Sequence, residues 1–400
     1  MADPAGKLQI RIAPDGVEIR SSRPVRAAAL FHGQGIEETA RLLPVLFGIC
    51  ATAQSAACAA ALEAAQGLAP DPATRNLRRT LVETETLREH LWRVLLDWPA
   101  LLGEEPQHDV MARVMGLAGL VRSALGGMPF RPGAGLPHPA RPAAEHALTA
   151  LSEPIAERVL GLPPADWLAR VGDLGTLTHW SAATETTAAR LIRRLLDAGL
   201  GDLGRSPIAL LPPLDAPDLD RWLGGPEADR CVARPTGDDG LPRDASALAR
   251  QAASPLLADL LGRLGNGLIA RLAAQLQELA RLATRERTPD RHLPRASAAG
   301  EGRQLGVGLG IGQVQAARGL LVHRVRIADG RIWDYRILAP TEWSFHPHGA
   351  VAAGLADLAA RAPCGERARL ARLFVAAVDP CVQFDLELTD RVAHSRRIPT

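Results

Sequence analysis

The sequence lacks the signals that would direct a chain to export or to a strongly charged partner. Its formal net charge is only +2 over 400 residues, so it has no electrostatic bias toward nucleic acid or a membrane surface. The segment MADPAGKLQIRIAPDG lacks a basic stretch followed by an apolar one, and we therefore expect no signal peptide. Cysteines are few and odd in number, five in all, which argues for reduced thiols in the cytoplasm.

Long apolar runs are also missing. The most apolar stretch, residues 42–62, is interrupted by Pro44, Gly48 and several polar residues, so we expect a buried helix there and no membrane insertion. With 47% apolar residues the chain has the composition of a soluble globular protein. We find no internal repeat and predict one domain over residues 1–400, with irregular surface segments at about 200–244 and 285–305.

The spacing of apolar residues predicts a mainly α protein with minor β structure. We expect the termini to meet in space, because strand patterns lie toward both ends of the chain and helical patterns fill its middle. The fold class is therefore a central helical bundle with a small sheet near the joined termini. Helices are predicted at 36–66 (with an irregularity at 44–48), 75–98 (stopped by Pro99), 109–125, 143–160, 184–199, 245–285 and 366–377, and a loop at 126–142. Strands are predicted at 7–12, 16–20, 318–327 and 331–338.

Two cysteine-centred segments lie near opposite ends of the chain. The first reads LFGICATAQ around Cys50, and the second reads VDPCVQFDLE around Cys381. A single buried cysteine is more often a small hydrophobic residue than a metal ligand. Neither segment alone predicts a metal site.

Together with the rest of the chain, the two segments resemble the metal-ligand motifs of the large subunit of nickel-iron hydrogenases. That family has an arginine-led Cys-x-x-Cys that opens a helix, with a histidine a few residues later, and a C-terminal Asp-Pro-Cys-x-x-Cys-x-x-His. On this frame Cys50 is the second cysteine of the first pair, and Cys381 is the first cysteine of the last pair. The other positions are changed: Phe47 and Phe384 replace cysteines, Val45 replaces the arginine, and Gln54 and Glu387 replace histidines.

A third region, between Gln315 and Gly349, resembles the family's Glu-Ala-Pro-Arg-Gly-x-Leu-x-His, a hairpin, and Pro-Thr-x-Trp-Asn. The residues kept are Arg318, Gly319, Leu321, His323, Asp329-Gly330, Ile332, Pro340-Thr341 and Trp343; those changed are Gln315, Ala317 and Ser344. The resemblance implies a pocket for an iron with cyanide and carbon monoxide ligands. In it Arg318 and Thr341 would donate hydrogen bonds to cyanide, and Leu321 would pack against carbon monoxide.

The resemblance also indicates what is lost. Family members hold nickel with four thiolates, two of which bridge to the iron, whereas phenylalanine has no lone pair to donate. We therefore expect no nickel and no hydrogenase activity. Cys50 falls on a bridging position and is the better candidate iron ligand, while Cys381 falls on a position that binds nickel only. Because Glu387 replaces the histidine next to the family's cleavage site, we expect no proteolytic processing.

The function implied is that of the HupK and HoxV type of hydrogenase accessory proteins. We expect a non-catalytic scaffold or carrier for the iron-dicyanide-carbonyl fragment, held transiently. Its partners would be the hydrogenase maturation chaperones and the hydrogenase large-subunit precursor, in the cytoplasm.

Three residues are expected around the metal position: Glu89, His323 and Asp379. Glu89 is either a proton acceptor near the site or an exposed helical residue, and both interpretations stay open. His323 belongs to the retained arginine segment. Asp379 precedes a proline, which favours an extended conformation, and its role can be limited to shaping the turn that presents Cys381.

Other candidate motifs are given structural interpretations. Cys58 lies on nearly the same helix face as Cys50, and we expect it to be buried without binding metal. Cys231 and Cys364 lie in loop-like contexts and have no family counterpart, and His346-Pro347-His348 is expected to be a solvated loop. The glycine run at 306–312 is no dinucleotide loop, because it lies in no βαβ unit.

Three other functions remain open from the sequence. The first is a metal-free interaction chaperone for the hydrogenase precursor or maturation factors, in which Phe47 and Phe384 close the pocket. The second is a subunit such as the quinone-site relative in respiratory complex I, which has no special reason to keep Arg318 with Asp379-Pro380-Cys381. The third is an active hydrogenase, which the loss of cysteine ligands disfavours.

Overall fold

The computed structural model describes residues 6–125, 128–134, 142–284 and 300–389. These residues form a helical body with two small sheets, which confirms the predicted mainly α fold with minor β structure. In the first half of the chain the helices are α1 (Ile36–Leu46), α2 (Ala51–Ala65), α3 (Pro72–Trp92), α4 (Trp98–Leu102), α5 (His108–Leu125), α6 (Pro142–Pro154), α7 (Pro164–Arg170), α8 (Leu174–Ala183) and α9 (Thr187–Asp197). The later helices are α10 (Ala216–Gly224), α11 (Ala228–Ala233), α12 (Ala247–Gln251), α13 (Pro255–Leu264), α14 (Leu268–Thr284), α15 (Pro340–Ser344), α16 (Ala350–Arg361) and α17 (Arg367–Val378).

The strands form two separate sheets. They are β1 (Leu8–Ala13), β2 (Gly16–Ser21), β3 (Glu301–Gly306), β4 (Leu309–Ala316), β5 (Gly319–Ala328), β6 (Arg331–Leu338) and β7 (Phe384–Leu388). The first sheet has the order β2-β1-β7, and β1 pairs in parallel with β7. This pairing joins the two ends of the described chain, as expected, but it does so through β7, a strand that the sequence did not predict. The second sheet is an antiparallel ladder in the order β3-β4-β5-β6.

Helix α2 packs directly on the second sheet. Its residues from Thr52 to Ala65 are all buried, and most of them are alanine. On the facing strand, an added Cβ at Gly312 would lie 2.2 Å from the Ala57 carbonyl oxygen, and one at Gly310 would lie 2.3 Å from that of Ala61. Glycine on β4 and alanine on α2 therefore let the two backbones approach closely enough to place the start of α2 against the sheet.

Helices from both halves of the chain pack against α14; they are α3, α6, α7, α9, α12, α13 and α17. Residues of this helix from Leu268 to Glu278 are all buried, so it forms the centre of the bundle. Two buried charged residues in it are paired: Arg271 lies 2.8 Å from Asp244, and Glu278 lies 2.6 Å from Arg250. Buried charges of this kind are tolerated only when paired. Along the described part of the chain no helix has the length and apolar character needed to cross a membrane.

The structure corrects several predicted elements. The break near Pro44 is real, since α1 ends at Leu46 and α2 begins at Ala51. Pro99 does not stop the second helix, because it lies in the first turn of α4, where proline is tolerated. Helices α7, α8, α15 and α16 and strands β3, β4 and β7 were not predicted, and the segment 200–244, predicted to be irregular, contains α10 and α11.

Two of the predicted irregular regions are only partly described. In the predicted loop at 126–142, residues 128–134 form turns, and the rest lies outside the described residues except for Pro142, which begins α6. In the predicted connector at 285–305, the described part includes most of β3.

Candidate functional site

Cys50 lies in the break between the first two helices and directly precedes α2. The first backbone N–H groups of α2 are satisfied by a side chain from α3, because Thr52 and Ala53 donate to the Glu85 carboxylate at 2.9 and 3.0 Å. A carboxylate at this position also complements the positive end of the helix dipole. This buried contact fixes the start of α2, and hence Cys50, against α3.

Cys381 follows α17 in the segment that leads into β7. Thr341 Oγ1 donates to Cys381 Sγ at 3.0 Å and accepts the Cys381 backbone N–H at 3.3 Å. A second donor, the Arg23 guanidinium, also points at the Cys381 sulfur. The Cys381 sulfur is therefore held as an acceptor by a hydroxyl and a cation from two different parts of the chain.

The structure brings the two predicted ligand cysteines into one site. Both are partly exposed free cysteines. Burial of its thiol raises the pKa of Cys50 to about 12, and the charges of Cys381 and Glu85 add to this shift. Gln54 Nε2 donates to Cys50 Sγ at 3.7 Å. In the absence of a metal the Cys50 thiol is thus protonated at neutral pH, and a metal that binds it must displace the proton.

Arg318 lies between the cysteines and a set of carboxylates. Its Nη2 donates to Glu89 at 2.9 Å and to Asp379 at 3.2 Å, and its side chain is only 4% exposed. Burial disfavours the charge, but Asp379 and Glu89 outweigh this and hold the pKa of Arg318 above its usual range. Arg318 Nε is buried and has no hydrogen-bond partner among the described residues. One donor of the guanidinium is therefore not used by the described residues.

The predicted surrounding residues take defined places. Glu89 is largely buried and paired with Arg318, and Asp379 is paired with both Arg318 and Arg93. Asp379 is not extended as its position before proline suggests: its φ is +63°, in the left-handed region where it ends α17. Aspartate is one of the few side chains that tolerate this region, and the turn it makes directs the carboxylate toward the two arginines.

Leu321 and His323 share one face of β5, two residues apart, and that face packs against α2. Leu321 is buried beside the alanines of α2. His323 is fully buried, with Nε2 2.9 Å from Gln54 Oε1 and Nδ1 2.9 Å from the Tyr335 hydroxyl. Burial lowers the pKa of His323 to about 3, so the imidazole is neutral at physiological pH. The packing of Leu321 against carbon monoxide remains a prediction.

Arg23 is the site residue that the sequence did not reveal. It follows β2, forms an ion pair of 2.9 Å with the largely buried Glu342, and contacts Cys381. No motif surrounds it. The signal that could have found it is topological: if the termini meet, a charged residue at the end of the N-terminal hairpin must lie near the C-terminal cysteine.

The other three cysteines lie outside the site, and one of them differs from its predicted local structure. Cys58 is buried on α2, as expected. Cys231 lies in α11 and not in a loop, and Cys364 is exposed in a 3-10 turn. His346 contradicts the expectation of a solvated loop, because it is 6% exposed and its Nδ1 accepts the His348 backbone N–H at 3.0 Å.

The phenylalanines at the two lost ligand positions lie in different surroundings. Phe47 packs against the cluster between α2 and the four-stranded sheet, whereas Phe384 begins β7 and packs against the helical core. Glu387 is exposed on β7, opposite Arg11 of β1. Both phenylalanines are only partly buried.

The site offers two sulfur ligands, not a complete metal cage. Within the described ranges, no three or more His, Cys, Asp or Glu side chains are grouped so that they could hold a metal ion. Two thiolates surrounded by guanidinium and hydroxyl donors instead suit a soft metal that brings further, anionic ligands of its own. The free donor of Arg318 Nε fits such a ligand.

Comparison with known sequences gives matches over nearly the whole chain. The profile of the nickel-dependent hydrogenase family matches residues 230–381. The hydrogenase expression/formation protein HupK of Azotobacter vinelandii is 31% identical, over 96% of this chain and 99% of that protein. The hydrogenase expression/formation protein HoxV of Cupriavidus necator is 33% identical, over 93% of each.

Comparison with solved structures gives hydrogenase large-subunit folds. An NAD+-reducing [NiFe]-hydrogenase in the H2-reduced state has a TM-score of 0.56 at 15% identity, over 92% of each chain. An anaerobically purified [NiFeSe]-hydrogenase of Dm. baculatum has a TM-score of 0.57 at 14% identity, over 92% of this chain and 94% of that one. At these identities the likeness concerns the fold alone.

Proposed function

This chain belongs to the family of hydrogenase expression/formation proteins that includes HupK and HoxV, and from that premise we propose that it serves hydrogenase maturation as a non-catalytic accessory protein. These relatives are named for a role in hydrogenase expression and formation, and this supports the proposal. The arrangement of cysteines supports it too, since phenylalanine occupies two of the four ligand positions suggested by the resemblance to hydrogenases.

The specific role we propose is to hold an iron that carries two cyanides and one carbon monoxide, as cargo and not as a resident cofactor. The observation that carries this role is the convergence of Cys50, Cys381, Arg318 and Thr341 in one partly exposed site. Cargo that brings three diatomic ligands needs few ligands from its carrier. Two sulfurs are enough to hold it, and two are too few to build the nickel site of an active hydrogenase.

The charges in the site favour anionic cargo. Arg23 and Arg318 bring two guanidinium groups to the cysteines. Arg23 is paired with Glu342, and Arg318 is paired with Glu89 and Asp379. A hydrogen bond from a guanidinium to an anionic acceptor is stronger than one between neutral groups. With its free Nε, Arg318 can donate to a cyanide nitrogen, and the Thr341 hydroxyl lies next to the sulfur that would bind the iron.

The proposed role also implies partner proteins. A carrier must receive its cargo from, and pass it to, other proteins, which we propose are the maturation chaperones and the large-subunit precursor, in the cytoplasm. Exposed apolar residues lie just before Cys50: Val45 is 78% exposed, Leu46 43% and Ile49 46%. Such a patch beside a site is typical of a protein contact.

The same patch favours a second candidate function, a metal-free chaperone for the precursor or the maturation factors. In that case the exposed segment at Val45 to Ile49 would matter and the thiols would not. The two functions therefore make opposite predictions for cysteine variants.

A complementation experiment separates them. In a host that lacks the gene for this chain, precursor processing and hydrogenase activity are measured after return of the wild type, Cys50→Ala, Cys381→Ala or the exposed-cysteine control Cys364→Ala. The carrier role predicts loss with either site variant and full recovery with the control. Recovery with both site variants, combined with loss in Val45→Asp, would replace the carrier role by the metal-free chaperone.

A further inference from the structure

A buried chain of hydrogen bonds runs from the interior of the protein to Cys50. It starts at Tyr335, which lies next to Cys58. Tyr335 contacts His323 Nδ1 at 2.9 Å, and His323 Nε2 contacts Gln54 Oε1 at 2.9 Å. Gln54 Nε2 then faces Cys50 Sγ at 3.7 Å. The chain links β6, β5 and α2.

The direction of every donor in the chain follows from one contact. An amide oxygen has no proton, so His323 Nε2 must carry the proton that lies between it and Gln54. The imidazole is neutral, because burial lowers its pKa to about 3, so its Nδ1 carries none. Tyr335 must therefore donate its hydroxyl proton to Nδ1.

We propose that this hydrogen-bond chain fixes the Gln54 amide so that its N–H points at the Cys50 sulfur. Gln54 is then a positioning residue, and His323 and Tyr335 act through it. If the hydrogen bonds ran in the reverse direction, the Gln54 amide oxygen would face Cys50. That oxygen could accept from a protonated thiol, but it would repel a thiolate. A metal-bound thiolate can only accept, so the direction in the structure is the one that matches a loaded Cys50.

This inference deepens the proposed carrier role, and the purpose of the hydrogen-bond chain rests on that role. The geometry of the chain can be tested without metal. The measurement is the tautomer of His323 in metal-free protein labelled with 15N-histidine, read from long-range proton–nitrogen correlations and assigned with His323→Gln. We expect the proton on Nε2. A proton on Nδ1 would mean the reverse direction and would overturn the inference.

Variants test which groups set the direction of the hydrogen bonds in this chain. Tyr335→Phe keeps the ring but removes the donor to Nδ1, so we expect both tautomers to appear. The matched control is Ser55→Ala, which removes a buried hydroxyl from α2, the helix that carries Gln54. The Ser55 hydroxyl donates to Ala51 O at 2.7 Å and takes no part in the hydrogen-bond chain. It should leave the tautomer unchanged. A single unaltered tautomer in Tyr335→Phe would show that Tyr335 does not orient the chain.

The link to the cargo is tested by infrared spectroscopy of protein purified anaerobically from a host with its maturation system. A hydrogen bond to a ligating sulfur withdraws electron density from the metal, so Gln54→Leu should shift the carbonyl band to lower wavenumber, and Ser55→Ala should not. An unshifted band in Gln54→Leu would contradict the inference while the carrier role stands. Complete absence of such bands in wild type would contradict the carrier role, and the tautomer would still decide the inference.

Discussion

At the scale of residues, the two thiols of the site have different surroundings. Cys381 accepts hydrogen bonds from Thr341 and Arg23, whereas among the described residues the Gln54 amide is the only hydrogen-bond donor to the Cys50 sulfur. Burial is the main cause that raises the pKa of Cys50 to about 12. In the proposed carrier role, loading of iron requires the loss of a proton at Cys50, so binding to this sulfur would depend on pH. The guanidiniums nearby supply the positive charge that the resulting thiolate needs.

Removal of the Thr341 hydroxyl should weaken both the fold and the retention of cargo. In Thr341→Val the Cys381 backbone N–H loses its acceptor, at a cost of about 1–3 kcal/mol in the free energy of unfolding. Loss of one hydrogen bond at the cargo should lower iron retention about tenfold, the equivalent of ~1.4 kcal/mol. Chemical denaturation and iron content after gel filtration measure the two effects.

Ser344→Ala provides the matched control for this variant. Ser344 is buried three residues from Thr341, and its hydroxyl has no partner in the described part of the chain. Its removal should leave the free energy of unfolding and iron retention unchanged. If Thr341→Val behaved like this control, the hydroxyl would have no part in the site.

Residues of the site could be predicted from the sequence where they lie in motifs. Cys50, Cys381, Arg318 and Thr341 stand in segments whose order resembles a known family, and the structure brings them together. Arg23 could not be found in this way, because its place depends on long-range pairing of the chain ends and on no local pattern.

At the scale of elements, the packing of α2 on the four-stranded sheet sets the position of Cys50. Strands β3 and β4 were not predicted, because glycine is depleted in strands and a glycine-rich segment resembles a loop. The structure shows why glycine is needed there: at Gly302, Gly310 and Gly312 an added Cβ would meet the backbone of α2 at 2.2–2.5 Å. Close contact between backbones outweighs the local strand preference.

Gly312→Ala should therefore push α2 away from the sheet. Its Cβ would lie 2.2 Å from the Ala57 carbonyl oxygen and 2.6 Å from the Ala61 nitrogen, neither of which can move alone. We expect a loss of about 3 kcal/mol in the free energy of unfolding, at the upper end for an overpacked core. Gly306→Ala is the control, since no atom lies within 4 Å of the added Cβ. Equal stability of the two variants, by chemical denaturation, would refute the packing argument.

At the scale of the whole molecule, buried ion pairs connect the bundle with the sheet. Glu278 at the centre of the bundle binds His90 of α3 at 2.7 Å and Arg250 of α12 at 2.6 Å. Arg250 also donates to the carbonyl oxygens of Ala316 and Ala317 at the end of β4, directly before Arg318. Periodicity predicted most of the longer helices, and strand patterns toward both ends of the chain predicted that the termini meet. This network could not be predicted, because its members are separated in the chain.

The network makes the free energy of unfolding depend on pH in the acidic range. Burial disfavours ionisation of Glu278, yet Arg250 and His90 outweigh it and lower the pKa of Glu278 to about 2, from an ordinary value of 4.5. The unfolded chain therefore binds this proton first as pH falls, so the contribution is complete above about pH 4.5 and is lost between pH 4.5 and 2.

Glu278→Gln should be less stable than wild type at neutral pH and should lose less stability on acidification across that window. The measurement is the free energy of unfolding at a series of pH values. An exposed control, Glu18→Gln, should keep the wild-type slope. A wild-type slope in Glu278→Gln would show that the network does not control acid stability.

The central claim is that the site carries iron with cyanide and carbon monoxide bound to the two thiols. Infrared spectroscopy of the protein, purified anaerobically from a host with an intact maturation system, tests it most directly. We predict carbonyl and cyanide bands in wild type and in the control Cys364→Ala, and their disappearance in Cys50→Ala. Wild-type protein without such bands and without iron, or bands that persist in Cys50→Ala, would contradict it.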